Sequence, residues 1–316
     1  MAQAALEIDR ISKRYGGLTA LNEFSLRVDA GELFGLVGGV GAGKTTAIRI
    51  AAGVLPADSG AVRWHGQPIG DDLRSRIGYL PAQHGLYPQL RLVEHLVYLG
   101  ELQGLSVNNA HRNAEIWLDR FGLRGHRMHQ LRSLTPTERQ LAQLAIALIA
   151  DPDVLIFDEP YTDLDQLSVD VVSNVLRERT SSGGAVLFTS SGTGLAEQLC
   201  DRIGILHNGH IVADGTAAEL RAGDTDTVVV DAPDAPPGWA DNLPGARVRT
   251  VTGSRIVLEL DAHADDQAIL AAALSTGPVR EFSRQRCSLT ERFGQVLDPA
   301  AQAENAQAGS REGRAW

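Results

Sequence analysis

Two short stretches carry residue types that could do chemistry together. The first is "GGVGAGKT", Gly38 to Thr45, which satisfies the pattern GxxxxGK[ST]. It lies between an apolar run, "LFGLVGG", and a helix-type pattern that begins inside "GAGKTTAIRIAAGV". In that setting Gly38, Gly39, Gly41 and Gly43, with Val40 and Ala42, turn backbone amides inward around phosphate groups with few side chains in the way, and the helix N-terminus adds its partial positive charge. Lys44 is expected to reach the β and γ phosphates and the Thr45 hydroxyl to hold Mg2+, with Thr46 beside it in the first helical turn also counted among the nucleotide contacts. The second stretch is "VLIFDE", an apolar strand that ends in two carboxylates. Asp158 suits binding of Mg2+ through water, and Glu159 suits polarising an attacking water. A buried strand ending in acids means little alone; beside a phosphate loop the two patterns reinforce each other.

The elements that must position these residues follow from periodicity. "LEIDRISKRYG", "LNEFSLRVDAG" and "LFGLVGG" show strand-type alternation or apolar runs, each closed by glycine. From about residue 91 to 150 the spacing changes to three and four, in "RLVEHLVYLGELQG", "AEIWLDRFG" and "TERQLAQLAIALIA", which predicts helices. Strands and helices then alternate through "VLIFDEP", "QLSVDVVSNVLRER", "AVLFTS" and "RIGILHNG", the rhythm of a largely parallel sheet covered by helices. Past "ELRAG" the pattern changes again. "TVVVDA", "RVRTVTGSRIVLELDA" and "DDQAILAAALSTG" predict a small α+β unit, with "APDAPPGWADNLPG" read as a Pro-rich hinge before it and residues 299–316 as a disordered tail.

Composition bounds the rest. The 316 residues suffice for a main domain and a smaller companion, and 43% hydrophobic with 22% charged residues is the balance of a soluble globular chain. A net charge of -10 without a basic patch argues against a nucleic-acid partner. Cys200 and Cys287 are too few and too far apart for a disulfide framework or a metal knuckle, and read as reduced thiols. The apolar run "LAQLAIALIA" falls short of the roughly 20 residues that cross a bilayer, and the N-terminus lacks a signal-peptide core.

With these residues in place, the chain resembles the nucleotide-binding subunit of an ATP-binding cassette (ABC) transporter over about residues 4 to 222. "KRYGGLTALNEFSL" is similar to the segment whose aromatic, here Tyr15, stacks on adenine in that family. "RIGYLPAQHGLYPQLRLVEHL" resembles the Gln-loop region that meets the membrane subunit, and "EPYTDLD" resembles the D-loop, with Asp165 at its aspartate. "LCDRIGILHNGHIVADGT" resembles the segment after the switch histidine, and the C-terminal unit ending "SLTERFGQVL" is similar to the extension of daunorubicin-type exporters. The resemblance implies an α/β P-loop NTPase cassette: a RecA-like core, an antiparallel β subdomain and a helical subdomain at about 86–150, within a domain spanning 1–222. A small α+β accessory domain at 223–298 follows. It implies ATP and Mg2+ as cofactors, an ABC-2 type membrane permease and a second nucleotide-binding subunit as partners, and a cytoplasmic place, peripheral on the inner face of the membrane. In the family, two subunits sandwich two ATP molecules, each held between the P-loop of one and the signature helix of the other.

The chain departs from that pattern at three loci. The signature, usually Leu-Ser-Gly-Gly-Gln, is occupied by Leu134, Thr135, Pro136, Thr137 and Glu138. Pro136 has no N–H to give, and Thr137 sets a branched side chain where a glycine amide would approach phosphate. As local structure the same residues predict a self-capped helix: Thr135 at the N-cap, Pro136 at N1, Glu138 at N3. Ser191 stands at the switch histidine and Ala82 at the Gln-loop glutamine, with Gln83 able to substitute only if the loop slips. Nucleotide binding is therefore expected with slow turnover, as the energy-coupling ATPase of an exporter or, alternatively, as a regulatory subunit paired with an active cassette.

Overall fold

The computed structural model describes residues 4–68, 76–82, 85–221, 227–261, 264–285, 289 and 293–294. Gln83, Cys287 and the tail from residue 299 lie outside the described residues. Two compact units divide the chain, one within Met1–Leu220 and one within Arg221–Gly294.

The first unit opens with the long antiparallel pair β1 (Ala4–Tyr15) and β2 (Leu18–Asp29), joined at Gly16, whose φ of 59° suits a residue without Cβ. With β4 (Ser59–Trp64) and β5 (Gln67–Pro68) they form a four-stranded sheet in the order β2-β1-β4-β5. The second sheet contains β3 (Leu33–Gly38), β6 (Ile77–Leu80), β7 (Val154–Phe157), β8 (Ala185–Ser190), β9 (Arg202–His207) and β10 (His210–Gly215). Its order is β10-β9-β3-β8-β7-β6, parallel except where β10 turns back on β9.

This sheet is buried on both faces, so its strands read as unbroken apolar runs instead of alternating patterns. The pleat still sorts the side chains. Leu155, Phe157, Val186 and Phe188 join one core with residues of the helices α2 (Leu92–Leu102), α3 (Val107–Arg120), α4 (Pro136–Leu148) and α5 (Gln166–Ser181). Their immediate neighbours Val154, Ile156, Ala185 and Leu187 join the other core, with the antiparallel sheet and α1 (Lys44–Ala51). The first turn of α2 is tied down without a free end: Leu92 and Val93 donate their amides to the carbonyls of His129 and Arg127, 3.0 Å each. After β8 come the short α6 (Gly194–Leu199) and, past β10, α7 (Ala217–Arg221).

The second unit is a four-stranded antiparallel sheet in the order β12-β13-β11-β14, formed by β11 (Thr227–Asp231), β12 (Ala246–Thr252), β13 (Arg255–Leu260) and β14 (Glu281–Gln285). Val228, Val230, Leu258 and Leu260 pack with Ile269 and Ala273 of α8 (Asp266–Thr276), which Asp265 caps by accepting the Gln267 amide at 2.9 Å. The Pro-rich stretch corrects the sequence expectation. It is no hinge ahead of this unit but the connection between β11 and β12 inside it, because Ala232 and Ala240 are buried in the same core and Trp239 packs against it. Proline and glycine mark where regular structure stops, and these alanines still bury their methyl groups.

Phe188 is fully buried at the centre of the first core, edge-on to Tyr161 at 5.5 Å. Replacing Phe188 by Ala should lower unfolding stability by about 3–5 kcal/mol, read as a fall in the urea midpoint of the first unit.

Candidate functional site

The phosphate loop runs from the end of β3 into α1. Gly41 and Gly43 hold φ of 81° and 108°, and a Cβ on Gly43 would meet the Ala20 carbonyl oxygen at 2.5 Å. A Cβ on Gly38 would lie equally close to the Leu206 oxygen. The loop is pinned from outside as well, by the Gly209 amide donating to the Ala42 carbonyl at 2.9 Å. Gly39 and Ala42 are buried, Val40 is exposed, and Thr45 and Thr46 are half-buried in the first turn of α1. That turn contains no acidic residue and no side-chain cap, so its amides stay available to an external anion. Lys44 Nζ donates to the carbonyls of Gly38 at 2.7 Å and Gly39 at 3.2 Å.

Strand order brings the two acids to this loop. β8 lies between β3 and β7, and Thr189 near its end bridges the acids. The Thr189 hydroxyl donates to Asp158 Oδ1 at 2.6 Å and accepts the Glu159 amide at 2.9 Å. Asp158 is further held by its amide donating to the Leu80 carbonyl at 2.9 Å. Glu159 sits at a φ of 52°, an uncommon conformation for a residue with a side chain, and its Oε1 lies 3.7 Å from Lys44 Nζ. Burial pushes the Lys44 ammonium below its ordinary value, against the opposing pull of Glu159 and Asp158.

These residues fit a nucleotide with a divalent cation on two observations. Asp158 Oδ2 is buried without a hydrogen-bond partner among the described residues, an acceptor that a cation's water would satisfy. The loop also requires glycine at Gly38 and Gly43, where a Cβ would collide with backbone oxygens, and Gly41 keeps open space around it at a positive φ. Thr189 was not singled out in the sequence; "AVLFTS" gives no signal until the strand order is known.

The other sequence-predicted positions spread around this centre. Tyr15 ends β1 with 47% of its surface exposed. Ala82 is exposed in a bend, and Ser191 is exposed just past β8. At the start of α4 the predicted capping box is present: Glu138 N donates to Thr135 Oγ1 at 3.2 Å, and Thr135 N donates to Glu138 Oε2 at 2.8 Å, with Pro136 in the first turn. Thr137 turns its hydroxyl to the Asp163 carbonyl at 2.6 Å, and Gln140 donates to the Pro160 carbonyl at 2.9 Å. Both bonds tie α4 to the segment between β7 and α5, where Asp165 caps α5 by accepting the Ser168 amide at 2.8 Å.

Comparison with known proteins agrees with this geometry. The ABC transporter family matches residues 21–162, and the family described as ATP-binding protein DrrA1-3-like, C-terminal domain, matches residues 215–296. The ABC transporter ATP-binding protein YhaQ of Bacillus subtilis (strain 168) is 30% identical over 288 residues, spanning 91% of this chain and 97% of its own. The daunorubicin/doxorubicin resistance ATP-binding protein DrrA of Streptomyces peucetius is 34% identical over 221 residues, spanning 69% and 67%. A solved structure of the ATP binding subunit of an ABC transporter superposes with a TM-score of 0.64 at 30% identity, covering 69% of this chain and 92% of that one.

Two outcomes test the site. Gly43→Ala should weaken nucleotide binding at least ~10-fold with the fold retained, measured with a fluorescent nucleotide, because the new Cβ meets the Ala20 carbonyl and strains the left-handed loop that aims the amides. At α4, the hydrogen bond from the Thr135 amide, aided by the nearby imidazoles, holds the Glu138 carboxyl below its ordinary value of 4.5. A carboxyl lowered on folding adds stability that is complete above its unfolded value and is lost as pH falls through the folded one. Glu138→Gln should therefore destabilise at neutral pH, with the difference in urea midpoint disappearing in acid.

Proposed function

Since the chain belongs to the ABC transporter ATP-binding family, whose cassettes are ATPases, we propose that it is the ATP-binding and ATP-hydrolysing subunit of an exporter that couples nucleotide-driven closure to transport through a separate membrane subunit. The observation that carries this reading is the convergence of Lys44, Asp158 and Glu159 at the carboxyl ends of parallel strands, where open α/β sheets bind ligands. Residues 1–222 are assigned to the ATP-binding domain, with a helical subdomain at about 86–150, and 223–298 to the accessory domain. The DrrA-like match over residues 215–296 supports the drug-exporter class.

In this reading the loop amides of Gly38 to Gly43 and the Lys44 ammonium hold the β and γ phosphates, and Thr46 extends the contacts along the first turn of α1. Thr45 through its hydroxyl and Asp158 through water would hold a Mg2+ ion. A Mg2+ held by these residues would supply neutralising charge to the phosphate oxygens. Glu159 takes a proton from the attacking water, its carboxylate aimed by the Thr189 bridge beneath its amide. Tyr15 offers a face for adenine to stack on. The exposed Tyr87 and Tyr98 with Leu90 and Glu94 line a cleft next to the Gln-loop segment, and this apolar surface with one acid supports docking of an ABC-2 type permease on the cytoplasmic side of the membrane. Gln83 belongs to the same segment.

One observation favours the second reading, a regulatory subunit with weak turnover. The start of α4 has spent two of its amide donors on its own cap, so it offers less to the nucleotide of a second subunit than a glycine signature would. Losing one hydrogen bond to a charged group costs about 1.5–3 kcal/mol.

Lys44→Ala should abolish MgATP binding by calorimetry; unchanged affinity overturns the nucleotide reading. The purified chain should release phosphate slowly, and Ser191→His should raise the rate several-fold if the missing imidazole limits an active motor. No gain from that substitution favours the regulatory subunit.

A further inference from the structure

A cleft of about 470 Å3 opens between α3 and the last turn of α5, lined also by the chain that leads from α4 toward β7. Asp151 stands shortly ahead of β7 and Ser182 shortly ahead of β8, so the cleft lies at the amino ends of these parallel strands, opposite the ends where Asp158, Glu159 and Thr189 meet the glycine loop. The nucleotide chemistry does not use it. Its lining is mostly aliphatic: Leu148, Ile149 and Val175 are buried beneath it, and Ile116, 49% exposed, stands at its side. Trp117 is already engaged, with Phe121 stacked at 5.5 Å and the Arg120 guanidinium 5.0 Å from the ring centre. An alkyl chain suits such a lining better than an aromatic plate.

The charges around the cleft do not cancel. Arg112, Arg120 and Arg179 border it together with only two acids, Glu178 and Asp151. Arg120 pairs with Glu178 and Arg179 with Asp151. Arg112 has no ion-pair partner among the described residues, because Glu115, one turn along the same helix, pairs with Arg127. One positive charge is left over. Asn109, three residues before Arg112 and therefore on the same face of α3, adds an amide to the rim, while Asn113 is held in place by donating to the Ile149 carbonyl at 2.7 Å.

We infer that this cleft binds an aliphatic carboxylate of the medium-chain fatty acid class, with its chain against Leu148, Ile149 and Val175 and its head on the Arg112 guanidinium beside Asn109. Guanidinium and carboxylate are matched in shape, since the planar fork donates two parallel hydrogen bonds to the two oxygens. A phosphate has more negative charge than Arg112 balances, and Glu178 and Asp151 repel the excess. A cationic amphiphile meets no unpaired acid here. The size also agrees, because small-molecule sites enclose ~300–1,000 Å3. A bound chain joins α3 to α5 and so ties the helical layer to the sheet.

The test titrates the full chain with sodium decanoate below its micelle concentration, reading heat and the tryptophan emission that Trp117 contributes at the cleft. Saturable binding of a single molecule per chain is expected, with a rise in the urea midpoint of the first unit. Arg112→Gln should weaken binding roughly tenfold while leaving the ligand-free midpoint unchanged, since Arg112 is exposed. Arg112→Lys should recover only part of the loss, because an ammonium cannot form the fork. Ile116→Asp should abolish binding by setting a like charge beside the carboxylate. Lys44→Ala should leave decanoate affinity unchanged, so loss of nucleotide binding and loss of this site read out separately. Decanol and decyltrimethylammonium should each bind at least ~10-fold more weakly than decanoate. Uptake that does not saturate, equal affinity for the alcohol or the cation, or parental affinity in Arg112→Gln overturns the inference. Displacement of decanoate by inorganic phosphate at equal concentration overturns it as well, and makes the cleft a simple anion site.

Discussion

A sheet buried on both faces can be reached only at the ends of its strands, and that constraint decides where chemistry can occur in this protein. β8 lies between β3 and β7, so the glycine loop and the two acids stand two strand spacings apart, about 10 Å. That gap is wide enough for a phosphate chain and narrow enough for Lys44 to approach Glu159. Thr189 fills the middle: one hydroxyl donates to the first acid and accepts from the amide of the second. The left-handed backbone of Glu159 depends on that bond, because an uncommon conformation persists where its surroundings hold it.

Two helix starts in the same unit show opposite uses of one physical property. Both α1 and α4 present amides and a positive dipole end. In α1 the first turn lacks acids, and the left-handed Gly43 opens the approach. In α4 the first turn contains Glu138, whose carboxylate occupies two places, one on the Thr135 amide and one beside His126. One start is left open for an external anion and the other is closed by an internal one. That asymmetry is what supports the proposal of a chain that binds nucleotide firmly and offers less to the nucleotide of a second subunit.

The second unit has a core of its own, with each strand of its sheet paired antiparallel and α8 set against Val228, Val230 and Leu258. Its match to the DrrA-like C-terminal family covers residues 215–296, beyond the 21–162 matched by the ABC transporter family. The residues proposed for nucleotide chemistry, Lys44, Asp158, Glu159 and Thr189, all lie in the first unit.

What the amino-acid sequence determined by itself is what short-range rules govern. The glycine loop, the strand ending in Asp158 and Glu159, the helix periodicities and the Thr135–Glu138 cap each depend on residues a few positions apart, and each was legible. The Pro-rich stretch was misread because composition marks a break in regular structure without telling whether its alanines are buried. Thr189 and the pairing of His126 with Glu138 were invisible for a different reason. Only tertiary structure decided them, since strand order and the packing of a loop on a helix start come from burial summed over distant segments, which no local spacing encodes.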